Sequence, residues 1–487
     1  MKKIIFTLSL VAVAMCVSAQ GQMDALRFYQ SDIMGTARYM GMGGAFNALG
    51  GDATAISKNP AGLGVFRKSE LSFTTNMYIN KSLMETNSST ISNTRANFNF
   101  NNFAIVASFL NENRSSGLIA SNFSITYDRL KNFHSTRGMK TDFTIVSILD
   151  YIYGDNMVPA NLFDATEDLS LYRIFDDEEF SWLANGMPSI REKGTLGEWN
   201  FSYGANISNM LYLGASVGIR TFDYNMESEF YEDYYTFDNF KFGSFDLLNF
   251  WSTTATGFNL KLGAIVRPVD FLRIGASIQT PTFFTAEESF SMSASSTYQA
   301  PGENRPDKQS IDGRGWYNGW TGFNMTTPII FNTGIAAVLG NKGIISVDYE
   351  LKNYASIDFD GINFSTQNSF IKEDFQISHS LRVGGEYRIN NAFSARLGYS
   401  FVTSPVKASV ENNNLEILTA GTVSHYTIPK NNSYYTAGFG YRARFFFFDI
   451  AYVYNAKKDN FYPFNFSEPV VSKSRIHNIA TTFGWRF

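Results

Sequence analysis

Residues 381–401 read LRVGGEYRINNAFSARLGYSF, and their alternation decides the fold. Leu381, Val383, Gly385, Tyr387 and Ile389 fall on one face of an extended strand, and Arg382, Gly384, Glu386 and Arg388 on the other. Asn390-Asn391 forms a tight turn, because asparagine tolerates positive φ. The chain returns with Phe393, Ala395, Leu397, Tyr399 and Phe401 on the apolar face and Ser394, Arg396, Gly398 and Ser400 on the polar one. In a soluble sandwich the polar face meets water; in a membrane barrel it meets the lumen. An arginine on the lipid face of a barrel costs about 2–4 kcal/mol at mid-depth, so in a barrel these arginines point inward.

The same hairpin recurs along the chain. Trp199–Ile207 turns at Ser208-Asn209-Met210 into Leu211–Ile219, and Phe258–Val266 turns at Pro268-Val269-Asp270 into Leu272–Thr280. Phe331–Leu339 turns at Gly340–Gly343 into Ile344–Leu351, and Tyr435–Ala443 turns near Arg444-Phe445-Phe446 into Phe448–Tyr454. Each strand has about the 9–11 residues that a tilted membrane strand needs. Short turns are then expected on the periplasmic side, with long extracellular loops at roughly 128–195, 223–255, 281–327, 402–433 and 456–474. The chain ends on an amphipathic strand, with Ile479, Thr481, Phe483, Trp485 and Phe487 at alternate positions. A terminal Phe on such a strand suits recognition by the outer-membrane barrel assembly machinery.

Composition agrees. Among 487 residues, 16% are aromatic and 17% charged, against roughly 25% charged in average domains. After the leader no apolar run of helical membrane-spanning length occurs. Residues 1–19 read as a signal peptide: Lys2 and Lys3, the apolar Ile4–Ala14, then Val17-Ser18-Ala19 as the cleavage site. Cys16 is the one cysteine and lies in this leader, and Met15 before it makes a poor lipidation site. A mature chain without cysteine has no disulfide or thiolate metal site. The net charge of −4 argues against nucleic acid as a partner.

One stretch breaks the pattern. Residues 35–64 read GTARYMGMGGAFNALGGDATAISKNPAGLG, rich in glycine and poor in bulky strand formers. Asp52 suits a helix N-cap for Ala53–Lys58, and Asn59 before Pro60 ends that helix. A compact glycine-rich insert ahead of an all-β chain fits inside a narrow lumen. Gly41-Met42-Gly43-Gly44 is no dinucleotide fingerprint, since no βαβ unit surrounds it.

This stretch resembles the N-terminal signature of the FadL-like outer-membrane transporters of long-chain fatty acids and other hydrophobic compounds. The resemblance lies in Asp52-Ala53-Thr54-Ala55-Ile56 followed by Asn59-Pro60-Ala61-Gly62. It extends to Leu272-Arg273-Ile274-Gly275, and to Gly384-Gly385-Glu386-Tyr387-Arg388 with Arg396-Leu397-Gly398-Tyr399. The resemblance implies an all-β fold: a transmembrane antiparallel β-barrel of about 14 strands, residues 67–487, closed by a small N-terminal hatch, residues 20–66. It implies capture of a hydrophobic ligand by the loops, transfer by the N-terminal segment, and lateral release as the hatch moves. Gly43, Gly44, Asn59, Pro60, Ala61 and Gly62 are the hatch residues it points to. Phe46, Leu49 and Ile56 are then candidates to touch ligand, and Arg382, Arg388 or Arg396 to meet a headgroup.

No enzyme is expected. Gly214-Ala215-Ser216-Val217-Gly218 matches a nucleophile elbow, but Ser216 sits mid-strand where the elbow needs a strand-to-helix turn. His134, His379, His425 and His477 lack metal-ligand spacing, and no cofactor is called for. Asp176-Asp177-Glu178-Glu179 reads as a solvated loop face, or as a divalent-cation bridge to lipopolysaccharide. The other classes open to such a chain are a porin-like channel and a surface receptor or adhesin, haem uptake included. A porin needs a polar constriction, and residues 35–64 leave no room for one.

Overall fold

The computed structural model describes residues 21–111, 116–153, 182–298, 315–412, 417–419, 422–465 and 467–487. The leader at 1–19 and the acidic run Asp176–Glu179 lie outside the described residues.

Alternating residues form an antiparallel barrel of 14 strands. In chain order these are β1 (Glu70–Glu85), β2 (Thr90–Leu110), β3 (Leu118–Asn132, resuming at Ser135–Gly138), β4 (Trp182–Ile207) and β5 (Leu211–Thr236). Next come β6 (Lys241–Val269), β7 (Leu272–Gln279 and Phe283–Tyr298), β8 (Gly315–Thr326 and Ile330–Leu339) and β9 (Gly343–Asn353 and Asp358–Phe359). The last are β10 (Ile377–Arg388), β11 (Phe393–Val402), β12 (Tyr426–Arg442), β13 (Phe446–Tyr462) and β14 (Val470–Arg486). The sheet closes where β1 pairs with β14, in register from Glu70↔Arg486 to Glu85↔Val471. Closure leaves no strand edge in hydrocarbon, where an unpaired peptide group costs several kcal/mol.

The hairpin read first holds residue by residue. β10 pairs with β11 from Ser380↔Val402 to Arg388↔Ser394. Leu381, Val383, Tyr387 and Leu397 are exposed on the outer wall, and Arg382, Glu386 and Arg396 are buried inside. Ser208 and Asn209 both take positive φ in the turn between β4 and β5.

Several stretches expected to be loops are strands. β5 and β6 run as a continuous ladder through 223–255, joined by a short turn at 237–240. The outward positions explain both the misreading and the geometry. On β5 they are Leu213, Val217 and Ile219, and then Asp223, Glu227 and Glu229, all exposed, with Asn225 half-buried among them. The apolar belt ends at Ile219, and the strand continues into water with an acidic outer face. The barrel therefore extends well above the bilayer on this side. A short helix, α1 (Ile148–Tyr153), packs on this extension among Phe230, Tyr234, Phe242, Phe245 and Phe464. Glu232 accepts hydrogen bonds there from Ser147 Oγ (2.5 Å), Ile148 N (3.3 Å) and Tyr234 Oη (3.0 Å).

Residues 21–66 lie inside the barrel. Two short helices, Ala37–Gly41 and Ala53–Lys58, and two 3₁₀ turns, Asp24–Phe28 and Pro60–Val65, make up this inner segment. Thr36 and Asp52 cap the two helices through Tyr39 N and Thr54 N. The wall carries inward glycines where the inner backbone touches it. A Cβ on Gly275 would overlap the Asn47 carbonyl oxygen, one on Gly398 the Gly43 nitrogen, and one on Gly214 the Pro60 carbonyl. The motif glycines of the hairpins are thus seats for the inner segment.

Enlarging a seat tests this directly. Gly275→Val is expected to displace the 43–62 stretch while the barrel still closes, so sugar permeation into proteoliposomes rises. Unchanged permeation, with the heat-modifiable barrel band retained on gels, would refute the seating.

Candidate functional site

The inner segment is held by hydrogen bonds as well as by contact. Thr36 Oγ1 donates to Asp52, and Thr54 Oγ1 donates to Asp128 on β3 (2.9 Å). Asn47 N donates to Asp348 (2.6 Å), and Asn59 Nδ2 to the Asn47 carbonyl (2.7 Å). Ala37 N donates to Thr482 (2.7 Å), and Thr436 donates to the Gly41 carbonyl (3.0 Å). Arg38 forks onto Glu386 at 2.9 and 3.3 Å. Arg396 bridges Glu386 (2.7 Å) and Asp449 (2.5 Å).

These contacts place the candidate residues. Gly43 (φ +64°) and Gly44 (φ +78°) turn the chain against Gly398 and beside Tyr39 and Arg382. Asn59 caps the second 3₁₀ turn by accepting from Ala61 N, Pro60 fits over Gly214 and Gly263, and Gly62 lies back to back with Gly50. All six candidates expected in the hatch are packed on the wall or on each other.

The candidates for ligand contact sit differently from expectation. Phe46 packs on Tyr39 and under the Arg38 guanidinium (5.2 Å). Leu49 offers its carbonyl to Arg273 (2.6 Å) and Ile56 is buried with Leu63, Phe66 and Val106. All three fill the joint between segment and wall, and they line neither internal cavity described below. Arg388 is exposed at the end of β10, beyond the lumen. Arg396 is 3% exposed and has both carboxylate partners, so it anchors the wall. Arg382 lines a cavity.

The apolar side chains that face the upper lumen come from earlier in the chain. Met23, Leu26 and Phe28 enter a large buried aromatic cluster. The Phe28 ring stacks on Phe222 at 4.2 Å and meets the edges of Phe284 (5.7 Å) and Phe323 (6.1 Å). Phe133 and Phe359 extend this chamber. Sequence reading passed over residues 21–34; the signal was there in Met23-Asp24-Ala25-Leu26-Arg27-Phe28-Tyr29, an apolar, aromatic start to a segment bound for a lumen.

Below the chamber the lining turns cationic. Arg382 donates to Glu350 (2.8 Å), which also pairs with Lys352 (3.1 Å). Lys58, Lys131, Lys430 and Lys457 line the same cavity of about 70 Å³, against Glu350 and Asp32. A neighbouring cavity of about 170 Å³ is lined by Arg27, Lys131, Arg137, Glu192 and Trp251 among others. Burial pushes the Lys58 amine down to about 8, against the pull of Glu350.

Among the described residues the ladder of the wall is interrupted in several places, between β6 and β7, β7 and β8, and β8 and β9, and above the lower part of β2–β3. The β2–β3 ladder stops at Asn102↔Asp128. Above it side chains span the gap: Arg129 to the Phe100 carbonyl (3.0 Å), Asn132 to Asn97 (3.2 Å) and Arg95 to the Ser135 carbonyl (3.4 Å). Between β7 and β8 the ladder stops at Phe283↔Thr326 and resumes at Gln279↔Ile330.

A closed 14-strand barrel with an apolar belt and a segment seated in its lumen has the architecture of an integral outer-membrane β-barrel, a fold that FadL-type proteins share. Solved structures with this fold include the toluene transporter TodX of Pseudomonas putida, at 12% identity and TM-score 0.54, covering 94% of this chain and 99% of that one. The toluene transporter TbuX of Ralstonia pickettii aligns at 15% identity and TM-score 0.52, with coverages of 94% and 99%. A FadL homologue from Pseudomonas aeruginosa aligns at 10% identity and TM-score 0.54, again over 94% and 99%. At such identities the likeness is one of fold. The model of an uncharacterised family, UPF0164, matches residues 7–140. No curated protein matches the sequence.

Arg396→Ala tests the anchor. It leaves Glu386 and Asp449 buried beside a lost partner, and breaking a buried pair costs about 3–5 kcal/mol. The folded band should convert to the unfolded one at a clearly lower temperature on gels, whereas Arg388→Ala should leave that temperature unchanged.

Proposed function

We propose that this protein is a passive outer-membrane transporter of hydrophobic small molecules, fatty acids among them. Capture is by the aromatic upper lumen, gating by residues 20–66 acting as a hatch, and release sideways into the bilayer. The observation that supports this best is the division of the lumen. An aromatic chamber lies above, and a segment in backbone contact with the wall fills the space below. A segment so seated among the described residues counts against the open axial pore of a porin.

The chemistry follows from the lining. Burying a methylene gains about 0.8 kcal/mol, so an apolar chain or ring binds in the chamber without special geometry. Arg382, Lys352 and Lys58 suit a carboxylate at its lower end. No energy source is needed if the concentration gradient drives flux. The exposed Phe487 on β14 suits delivery by the barrel assembly machinery, and the acidic β5 extension would stand in the lipopolysaccharide headgroups.

Uptake of labelled oleate and of a labelled neutral sugar, by cells making the protein with and without residues 20–64, tests the reading. Oleate uptake that needs the segment, without sugar leak in the intact protein, is expected. Sugar flux in the intact protein would favour a porin, and no oleate uptake above control cells would favour a surface receptor.

The headgroup site carries a pH signature. Lys58 titrates at about 8 in the folded protein, below its ordinary 10.5. It is charged below that range and neutral above it. Oleate should therefore bind more weakly as pH rises through about 8, and Lys58→Met should flatten that slope. The same shift means that folding stability rises between about pH 8 and 10.5, where the unfolded chain holds the extra proton.

A further inference from the structure

The cavity of about 170 Å³ is lined partly by the aromatic chamber, through Leu26, Phe133 and Trp251, and partly by β1, β13 and β14. Asn80 of β1 and Asn455 of β13 both pair with Ile476 of β14, so they stand at one level of the wall. Asp459 follows four residues further along β13, on the same inward face. Asn80, Asn455 and Asp459 are 6%, 3% and 4% exposed. In each of them Oδ1 has no hydrogen-bond partner among the described residues. Arg137 Nε, on the same cavity, is a donor without an acceptor there. Burying such atoms costs free energy until a partner reaches them.

The charges around this cavity are already matched. Its eight charged side chains form four ion pairs: Arg27 with Asp24, Lys131 with Asp32 (3.8 Å), Arg137 with Glu192 (2.9 Å) and Lys457 with Asp459 (2.6 Å). Burial holds the two lining histidines, His134 and His425, below their ordinary pKa, and both are neutral. The neighbouring cavity is different, because six cationic side chains there face only Asp32 and Glu350.

That balance selects the partner. A carboxylate brings acceptors alone and would meet three oxygens of its own kind. An ammonium brings donors, but each carboxylate here already has its cation. A hydroxyl is neutral and both donates and accepts, so a set of hydroxyls can meet the three oxygens and Arg137 Nε alike. Trp251 adds a fixed aromatic face, held by Nε1 donating to Thr253 (2.9 Å) and Glu288 (3.0 Å) and by its stack on Phe290 (5.5 Å). The C–H face of a sugar ring packs against such a surface as readily as a chain does.

We propose that this cavity holds the neutral, hydroxyl-rich headgroup of an amphiphile, an alkyl glycoside or glycolipid by class, while its chain lies in the aromatic chamber. The proposal rests on the hydrophobic-transport reading above and names a substrate class for it. Fatty acids and glycosides then share the chamber and differ in which cavity takes the headgroup.

Binding of labelled dodecyl glucoside, 1-dodecanol and dodecanoate to the full chain in lipid nanodiscs tests this, at concentrations too low for micelles and with empty discs subtracted. Dodecyl glucoside should bind at least about tenfold more tightly than 1-dodecanol, which has the same chain and a single hydroxyl. Equal affinity for the two overturns the proposal and leaves the transport reading standing. Failure of all three to bind overturns the transport reading, and the proposal with it. Asn80→Leu with Asn455→Leu removes two acceptors at nearly constant volume. Glucoside affinity should fall about tenfold, and affinity for the other two ligands should stay within about twofold. Unchanged glucoside affinity, or an equal loss for all three ligands, overturns the assignment. The ligand series in the unmodified protein decides the matter even if the double variant gives no heat-modifiable barrel band.

Discussion

Hydrocarbon offers no hydrogen-bond partner, so a strand that crosses it must find one on each side for every peptide group. The rest of this structure depends on that constraint. It forces β1 onto β14 and so makes a closed wall. Closure in turn fixes two faces with opposite chemistry, and the alternation of every strand follows. Above the bilayer the constraint lapses, because water can serve an unpaired group. β5 and β6 nevertheless stay paired there, and only their outer face changes, from leucine and isoleucine to aspartate and glutamate. A wall built under this rule makes its exceptions conspicuous. The β2–β3 gap is patched with polar side chains. The β7–β8 gap is made by prolines, which could not have joined the ladder wherever they pointed.

A barrel of this width has a lumen too large for its own side chains, and the chain fills the lower part with its N-terminal segment. Backbone against backbone is possible only because the wall is dented with glycine. Charges then fix the fit. Arg38, Arg396, Glu386 and Asp449 form one network, and Glu198 is held by Arg220 and Lys261 in another. Buried pairs of this sort add little net stability, since desolvation offsets attraction. Their effect is to penalise any other seating of the segment, because a displaced Arg38 leaves Glu386 with one partner fewer in a dry lumen.

Alternation made the membrane part of the fold legible. Hairpins such as 381–401 gave turn, faces and inward arginines, since a period of two admits a single assignment once one face must be apolar. The lengths of β4–β6 were hidden because alternation weakens where both faces meet polar surroundings, and Glu227 and Glu229 look the same on a strand as in a loop. Site residues were less legible still. Arg382, Arg388 and Arg396 share one face of one hairpin, yet they end in a cavity, in solvent and in a buried network. What separates them is height along the barrel and the neighbour each finds on other strands. Phe46, Leu49 and Ile56 lie within the glycine-rich motif, but a segment packed that closely turns its apolar side chains into the joint. The chamber is reached instead by Phe28, whose environment is set by Phe222, Phe284 and Phe323, up to some 295 residues away in sequence.

Binding an apolar solute is the easy half of transport, since the hydrophobic effect is non-directional and asks only for a dry surface. The difficulty is letting go. A chamber that holds a chain tightly must lose that hold without flooding the membrane with water. In this barrel the ring that occupies the chamber and the hydroxyl that holds the wall belong to adjacent residues, Phe28 and Tyr29, on one 3₁₀ turn and its C-cap. Any displacement of the Phe28 ring from the aromatic cage therefore also strains the bond from Tyr29 Oη to the Pro328 carbonyl.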